Sequence, residues 1–575
     1  MFILRLGPSE LSRVARYRSQ INSTLQPICN APLQQITGLP VDRTLRSWNC
    51  GKLSVDAVFD MPTHVRIEAD RCLFIFGEVR ELDHNKIERL WSENLSESRP
   101  QGSYLILKYN VCEGRLEGLS DHWGVQPAYL LRDRDCIYLA SLPSPLLKLS
   151  ERNFQLNSEA IDDFITLGVV QSNKTFISGL ELVPANSHFV SDGASWEIRQ
   201  RSTPQFSSHR TLAEASLGLW ERLQAFTDRQ FDQGVRHCFL TGGADSRVIA
   251  ASMSRKVRSV MEFATIDQPA WTCDRWDMRV ASQLAQKHEM QHRLIAPTHM
   301  QRSVSYPVVQ RALKPRRLDC PVIGGMFGTE FVGMGVFQLL PFQTLGYRED
   351  MQRLRRAKIF GPSWIADHQS PFLRFQNEVN QSSTICKEWG ALAPLFLRSF
   401  MTSVHMEEGS YALTLPATNV HANKRLPYMD AEVMDWLAQT PREYLLNFQL
   451  YDWIFKNVGK EWATTPFNST ITCSLPDLPS VKSVKDGKYG SYGDFDFENF
   501  VLAPENREII DSLGLFPSEN MGPLVYEYGH GFASRVANLI VWFQLEVLRQ
   551  ELDYGRWIRN SAKQAQDYTP TFTTL

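Results

Sequence analysis

The stretch Cys238-Phe239-Leu240-Thr241-Gly242-Gly243-Ala244-Asp245-Ser246-Arg247 decides how the second half of this chain is read. Its apolar start, Cys238 to Leu240, predicts a short buried strand. The paired glycines predict a turn, and Val248, Ile249, Ala251 and Ser252 the start of a helix. Strand, glycine turn and helix N-terminus together present backbone N–H groups to an anion. Glycine lets the main chain approach a phosphate with no Cβ in the way, and successive amides form an anion nest. No lysine precedes Ser246 and the spacing is not that of the Gly-rich ATPase loop, so this is not a Walker A sequence.

Around that loop the pattern alternates. Leu212, Leu219, Leu223 and Phe226 lie on one helical stripe that begins near Thr211. Ser259 to Thr265 reads as a second buried strand, Asp274 to Gln286 as a helix and Gln291 to Ile295 as a third strand. Strands and helices alternating at this spacing imply a parallel sheet with crossover helices. Ligands of such sheets sit at the carboxyl ends of the strands, where Thr241 to Ser246 falls. Beyond residue 350 the chain reads mostly helical, ending in an amphipathic stretch from Ala533 to Leu552.

Towards the N-terminus the period shortens. Cys72 to Val79, Ser103 to Tyr109 and Leu116 to Leu119 are short apolar or alternating runs typical of strands. Ala128 to Leu131 and Ile137 to Ala140 flank the polar turn Arg132-Asp133-Arg134-Asp135, a hairpin signal. Asp83 to Ser98 and Ser158 to Leu167 carry helical patterns. Arg201 to Arg210, polar with a proline and serines, reads as a boundary. The expected organisation is a first domain over 1–200, a linker over 201–212 and a second domain over 213–575, all of α/β class.

Bulk properties exclude several functions. The 575 residues suffice for two to four domains, and the composition is that of a globular protein, 43% apolar and 22% charged. A net charge of −2 without a long Lys/Arg block gives no reason to expect nucleic acid. Ten scattered cysteines without a Cys-x-x-Cys pair indicate neither a zinc ribbon nor a disulfide framework, and fit a reducing cytoplasm. Met1 to Gln20 holds only a four-residue apolar run before Arg5, too short for a signal peptide. Val322 to Phe342 is nearly all apolar, but it contains Glu330 and five glycines. A spanning helix would bury that carboxylate at high cost, so a buried glycine turn is expected there and no membrane partner.

Several landmarks then fall in one order. Asp121-His122-Trp123-Gly124-Val125-Gln126-Pro127-Ala128-Tyr129 with Tyr138-Leu139-Ala140-Ser141 resembles the hairpin of glutamine amidotransferase domains. Thr175 to Leu180 with Leu182 to Asn186 is similar to that family's connection into a synthetase half. Thr241 to Ser246 resembles the pyrophosphate loop Ser/Thr-Gly-Gly-x-Asp-Ser of enzymes that cut ATP between its α and β phosphates. Arg425-Leu426-Pro427-Tyr428-Met429-Asp430 looks like the family's Arg-x-Pro-Phe-x-Asp signature. Over residues 70 to 550 the chain thus resembles the asparagine synthetase superfamily, which includes β-lactam synthetases and lasso-peptide cyclases.

The resemblance implies an N-terminal amide-hydrolase sandwich, α+β in character, joined to a C-terminal parallel-sheet ATP-pyrophosphatase domain with a helical extension. It implies ATP and Mg²⁺ as cofactors and a carboxylate activated as an acyl-adenylate. Leu240 and Thr265 would contact the adenosine, with Gly324 and Gly325 on the far side. Thr241, Gly242, Gly243, Asp245 and Ser246 would grip the pyrophosphate, Asp245 also serving the magnesium ion. A late lysine stabilises developing charge in the family. Candidates are Lys482, Lys485 and Lys488, and Lys485 is named because it lies between the other two.

Two departures qualify this. Family members that hydrolyse glutamine carry a nucleophilic cysteine at position two, where this chain has Phe2, its first cysteine being Cys29. Arg99-Pro100 is at best a remnant of their Arg-Gly-Pro-Asp turn. The first half is therefore expected to support the second rather than to supply ammonia. In Gly324-Gly325-Met326-Phe327-Gly328-Thr329-Glu330, Thr329 stands where the family's Ser-Gly-x-Gly-x-Asp-Glu has a metal-binding Asp. A neutral hydroxyl is a poorer Mg²⁺ ligand than a carboxylate, which leaves Asp245 and Glu330 as the acidic candidates, Glu330 also as a catalytic one. Met326 replaces a β-lactam synthetase tyrosine, so that activity is not expected.

His288-Glu289-Met290-Gln291-His292 matches the His-Glu-x-x-His zinc motif. The preceding helix should end near Lys287 and a strand should follow, so the two imidazoles are not expected to converge; the resemblance implies that His292 lies near the nucleotide. Asp430 is expected to cap the helix beginning near Glu432, with Arg425 the better ligand contact.

Three functions follow from the resemblance. The first is an ATP-dependent amide-forming ligase acting on a small-molecule or peptide carboxylate with ammonia or a substrate amine, without glutaminase activity. The second is a lasso-peptide-type cyclase or other intramolecular amide synthetase of natural-product biosynthesis, working with partner proteins of its cluster. The third is a catalytically inactive nucleotide-binding relative.

Overall fold

The computed structural model describes residues 2–7, 44–57, 63–141, 143–149, 155–167, 170–202, 205–207, 210–266, 276–295, 317–318, 320–325, 327–332, 370–394, 424–446, 448–465, 467, 497–513 and 518–543, with 17, 19, 33, 34 and 397. Within them the chain is a mixed α/β protein with two six-stranded antiparallel sheets, a five-stranded parallel sheet and a short parallel pairing of Leu33–Gln34 with Arg317–Leu318.

The first antiparallel sheet contains β1 (Phe2–Leu6), β2 (Arg46–Cys50), β3 (Leu53–Ala57), β8 (Tyr129–Asp133), β9 (Cys136–Ala140) and β10 (Leu180–Leu182), in the order β10-β8-β9-β1-β3-β2. The second contains β4 (His64–Ile67), β5 (Arg71–Val79), β6 (Gly102–Asn110), β7 (Arg115–Ser120), β11 (Ser187–Ser191) and β12 (Trp196–Gln200), in the order β12-β11-β7-β6-β5-β4. The run Cys72 to Phe76 shows why these strands read as almost continuously apolar. Cys72, Phe74 and Phe76 pack between the sheets with Phe2, Leu4, Val55 and Leu139. Leu73 and Ile75 face the other way, onto Leu90 and Trp91 of α1 (His84–Ser92). Burial on both faces removes the polar alternation of a half-exposed strand.

The hairpin expected at Arg132 to Asp135 is present, with Cys136 opposite Asp133 and Arg134 in the left-handed region at φ 55°. After the short helix α2 (Pro143–Leu149), helix α3 (Ser158–Leu167) has the expected limits. Helix α1 is shorter than Asp83 to Ser98 suggested. It ends at Ser92, and the Asn94 side chain accepts from the Ser96 amide, a local turn that competes with the helix.

The parallel sheet follows α4 (Leu212–Asp232), whose N-terminus is a capping box of Thr211 and Glu214. It contains β13 (His237–Phe239), β14 (Glu262–Ile266), β15 (Gln291–Ile295), β16 (Val322–Ile323) and β17 (Lys424–Arg425), in the order β15-β14-β13-β16-β17. Helix α5 (Ala244–Ser252) follows β13, and α7 (Trp276–Lys287) joins β14 to β15. The strand expected from Ser259 begins only at Glu262. Ser254 caps a further helix, α6 (Arg255–Val260), which takes up Ser259. Of the apolar run Val322 to Phe342, the described residues form a short strand, the glycines Gly324 and Gly325 and the short helix α8 (Gly328–Val332), while 326 and 333–342 lie outside the described residues. No helix among the described residues is long and apolar enough to cross a membrane. The later described segments are mainly helical: α9 (Ser370–Gln381), α10 (Ala431–Ala438), α11 (Gln449–Asn457), α12 (Lys460–Ala463), α13 (Phe497–Leu502), α14 (Arg507–Leu513) and α15 (Met521–Trp542). Of the stretch Ala533 to Leu552, only 533–543 is described, and 544–552 lies outside the described residues.

Contacts distant in sequence join the antiparallel sheets to the elements around the parallel sheet. The Arg80 guanidinium lies 2.8 Å from Asp430 and also pairs with Glu432, while Arg229 lies 2.5 Å from Asp430 and 2.9 Å from Glu78. The Trp123 indole N–H donates to Asp435 at 2.7 Å. The Asp121 carboxylate accepts from the Trp123, Val125 and Gln126 amides, so this conspicuous motif builds the loop that presents Trp123.

Candidate functional site

Strand β13 lies at the centre of the parallel sheet, and the chain leaves it to β14 on one side and returns to β16 on the other. This reversal of strand order creates a crevice at the carboxyl ends of β13 and β16, the switch point where open α/β sheets bind ligands. Two glycine-containing loops meet there.

The first is Thr241 to Ser246. The Leu240 amide donates to Ala264 at 2.9 Å, extending the sheet by one residue. The chain then turns, and Gly243 becomes the N-cap of α5 with no side-chain cap bond. Two hydroxyls set the turn. Ser246 Oγ accepts from the Thr241 amide at 3.0 Å and lies 3.0 Å from Thr241 Oγ1, which accepts from the Gly243 amide at 3.2 Å.

The second loop follows β16. Gly324 N–H donates to the Arg425 carbonyl at 3.0 Å, Phe327 adopts φ 70°, and α8 starts at Gly328. A Cβ on Gly325 would stand 2.8 Å from the Ser246 nitrogen, and one on Gly328 would stand 2.5 Å from Asp245 Oδ1 and 2.6 Å from the Tyr451 hydroxyl. Both glycines are therefore required by the approach of the first loop.

This approach brings two carboxylates together. Burial and the Asp245 charge push the Glu330 carboxyl up to about 7. The Tyr451 hydroxyl is hydrogen-bonded to Asp245 and lies 2.6 Å from the Tyr428 hydroxyl, both rings being fully buried. Among the described residues no cluster of three or more His, Cys, Asp or Glu is arranged to hold a metal. Paired acids without a third fit Mg²⁺ shared with a phosphate, because that ion is usually held by one or two carboxylates, waters and substrate oxygens. They do not form an all-protein cage.

The remaining expected residues divide. Thr265 and Leu240 are adjacent, as anticipated, with Thr265 Oγ1 donating to the Leu240 carbonyl at 2.7 Å. His292 Nε2 lies 2.8 Å from the same hydroxyl, and burial lowers this imidazole's pKa. The Leu240 side chain is wholly in the core, so its apolar contacts are with protein. His288 stacks on Trp462 at 3.8 Å while His292 lies on β15, so the His-Glu-x-x-His pair diverges. Asp430 caps α10 by accepting from the Glu432 amide at 3.0 Å, as expected. Phe2 is buried and stacks on Phe76 at 4.2 Å. Lys482, Lys485, Lys488, Cys29 and Met326 lie outside the described residues, as does the Thr329 side chain.

Tyr428, Tyr451 and Arg80 were not anticipated. Tyr428 had a faint signal, a hydroxyl where the signature carries Phe. Tyr451 and Arg80 had none, because their partners are 206 or more positions away in sequence: Asp245 for Tyr451 and Asp430 for Arg80.

No family model matches the chain, and none of the curated proteins matches it. A solved structure described as that of the allosteric regulatory enzyme of purine biosynthesis is similar at a TM-score of 0.22 and 10% identity, over 51% of this chain and 80% of that one. At that score the likeness weighs nothing for fold or function.

Proposed function

We propose that the crevice between β13 and β16 binds ATP with Mg²⁺, and that the chain is an ATP-dependent amide-forming ligase of the asparagine synthetase type without glutaminase activity. The observation that supports this most is the meeting of the Thr241–Ser246 loop with the Gly324–Glu330 loop at the switch point, which sets Asp245 against Glu330. ATP supplies AMP as a leaving group to a carboxylate whose own oxygen leaves poorly. The amides at the start of α5 bind the pyrophosphate portion and Asp245 and Glu330 hold the magnesium ion. Thr265 and the Leu240 main chain orient the adenosine side.

Phe2, buried where the resemblance calls for a nucleophilic cysteine, supports the absence of glutamine hydrolysis. Ammonia or an amine of the substrate then attacks the activated carboxylate, the latter case giving a lasso-peptide-type or other cyclase. Thr329, standing where the family's metal-binding Asp is expected, supports a second reading, a relative that binds nucleotide without turnover. Pyrophosphate release from ATP and Mg²⁺ with a panel of small-molecule and peptide carboxylates separates the two. Release that Asp245→Ala abolishes supports the ligase; ATP binding without release across the panel supports the second reading, and absence of both excludes each.

A further inference from the structure

Arg247 directly follows the glycine loop, on the first turn of α5, where a long cation would ordinarily reach solvent. Instead it is completely buried. Its guanidinium turns back beneath the loop. One terminal nitrogen donates to the Gly242 carbonyl at 3.1 Å, and the other donates to the carbonyls of Trp462 at 3.2 Å and Thr465 at 2.6 Å. The Phe467 ring lies 3.8 Å from the guanidinium carbon. Burial lowers its pKa to about 9, so the side chain is still a cation at neutral pH.

The consequence lies in one peptide plane. The carbonyl of Gly242 and the N–H of Gly243 point in opposite directions across a trans peptide. Drawing the carbonyl towards Arg247 therefore turns the Gly243 N–H to the other side, where Thr241 Oγ1 meets it at 3.2 Å. Two adjacent glycines give this peptide more conformational freedom than any other pair would. A planar guanidinium anchored on the Trp462 and Thr465 carbonyls removes that freedom. It also places a full positive charge behind the loop in a low-dielectric region, where charges act strongly.

We propose that Arg247 is a positioning residue of the loop: it holds the Gly242 carbonyl back from the crevice, keeps the Gly242–Gly243 peptide seated on Thr241 Oγ1, and with its buried charge makes the loop selective for the pyrophosphate portion of the nucleotide. This rests on the ATP-binding reading above.

The test is calorimetry on the full chain with three probes: ATP and inorganic pyrophosphate, each with Mg²⁺, and AMP. Arg247→Met should weaken ATP and pyrophosphate roughly tenfold to a hundredfold, the range for losing a charge-assisted hydrogen bond, and leave AMP within about twofold. Arg247→Lys keeps the charge but not the planar fork, and should weaken pyrophosphate several-fold, again sparing AMP. If circular dichroism shows Arg247→Met unfolded, the lysine variant decides. Unchanged pyrophosphate affinity, or AMP affinity lost by the same factor, overturns the proposal. A wild-type chain that binds neither ATP nor pyrophosphate overturns the ATP-binding reading itself, and the assignment of Arg247 with it.

Discussion

Gly325 lies so close to Ser246 that a Cβ on it would stand 2.8 Å from the Ser246 amide nitrogen. The two loops of the crevice are thus in backbone contact, and the first cannot keep its shape if the second thickens. Gly325→Ala is expected to displace the Thr241–Ser246 loop and weaken ATP at least tenfold, at a stability cost of about 1–3 kcal/mol for overpacking. Nucleotide titration and urea unfolding of the same variant check both numbers.

Arg80 and Asp430 join a sheet strand's end to the cap of α10 from positions 350 residues apart. Both side chains are about nine-tenths buried, and each has a second partner, Arg229 for Asp430 and Glu432 for Arg80, so removing either takes away one of two ion pairs from the other. Arg80→Ala should cost about 1–3 kcal/mol by urea unfolding, because Arg229 still pairs with Asp430. Asp430→Asn, which keeps a capping oxygen, should cost less than Asp430→Ala. A loss below 1 kcal/mol for Arg80→Ala would mean that the pair is not energetically coupled.

Tyr451 gives the Asp245 carboxylate a buried hydroxyl partner. Tyr451→Phe should destabilise the chain by about 1–3 kcal/mol and loosen Mg²⁺-dependent ATP binding. Tyr428→Phe, one hydroxyl further from the carboxylate, should have the smaller effect on binding. Equal effects on binding would show that the tyrosines act only as packing.

The Glu330 carboxyl titrates near 7 in the folded chain, above its ordinary value of 4.5. Between those values the folded state binds more protons than the unfolded one, so this group's contribution falls as pH rises from about 4.5 through about 7. Above pH 7, without a divalent cation, it opposes folding by on the order of 1–3 kcal/mol. Glu330→Gln should therefore be more stable than the parent at pH 8 and lose the advantage near pH 5, as urea unfolding at both pH values will show.

Much of this was legible from residue patterns. The turn at Arg132 to Asp135, the helix over Ser158–Leu167 and the strand Gln291–Ile295 each follow from local periodicity and turn chemistry. Boundaries failed where a polar side chain intervened, as when Ser254 started a helix in what read as the approach to a strand. Asp245 and Glu330 could be named as acids of one site because the resemblance sets their two glycine-marked loops opposite each other. The tyrosines behind them and Arg80 depend on contacts between distant segments, for which local pattern carries no signal. Arg247 was visible in the opening stretch, but nothing in a linear sequence shows a cation turning back beneath its own loop.

The proposed function stands or falls on ATP binding at the switch-point crevice through Asp245. Calorimetric titration of the full chain with ATP, with and without Mg²⁺, alongside Asp245→Asn, tests it most directly. Saturable binding that requires Mg²⁺ and falls at least tenfold in the variant is expected. Binding that is absent from the parent chain, or equal in the variant, would contradict it.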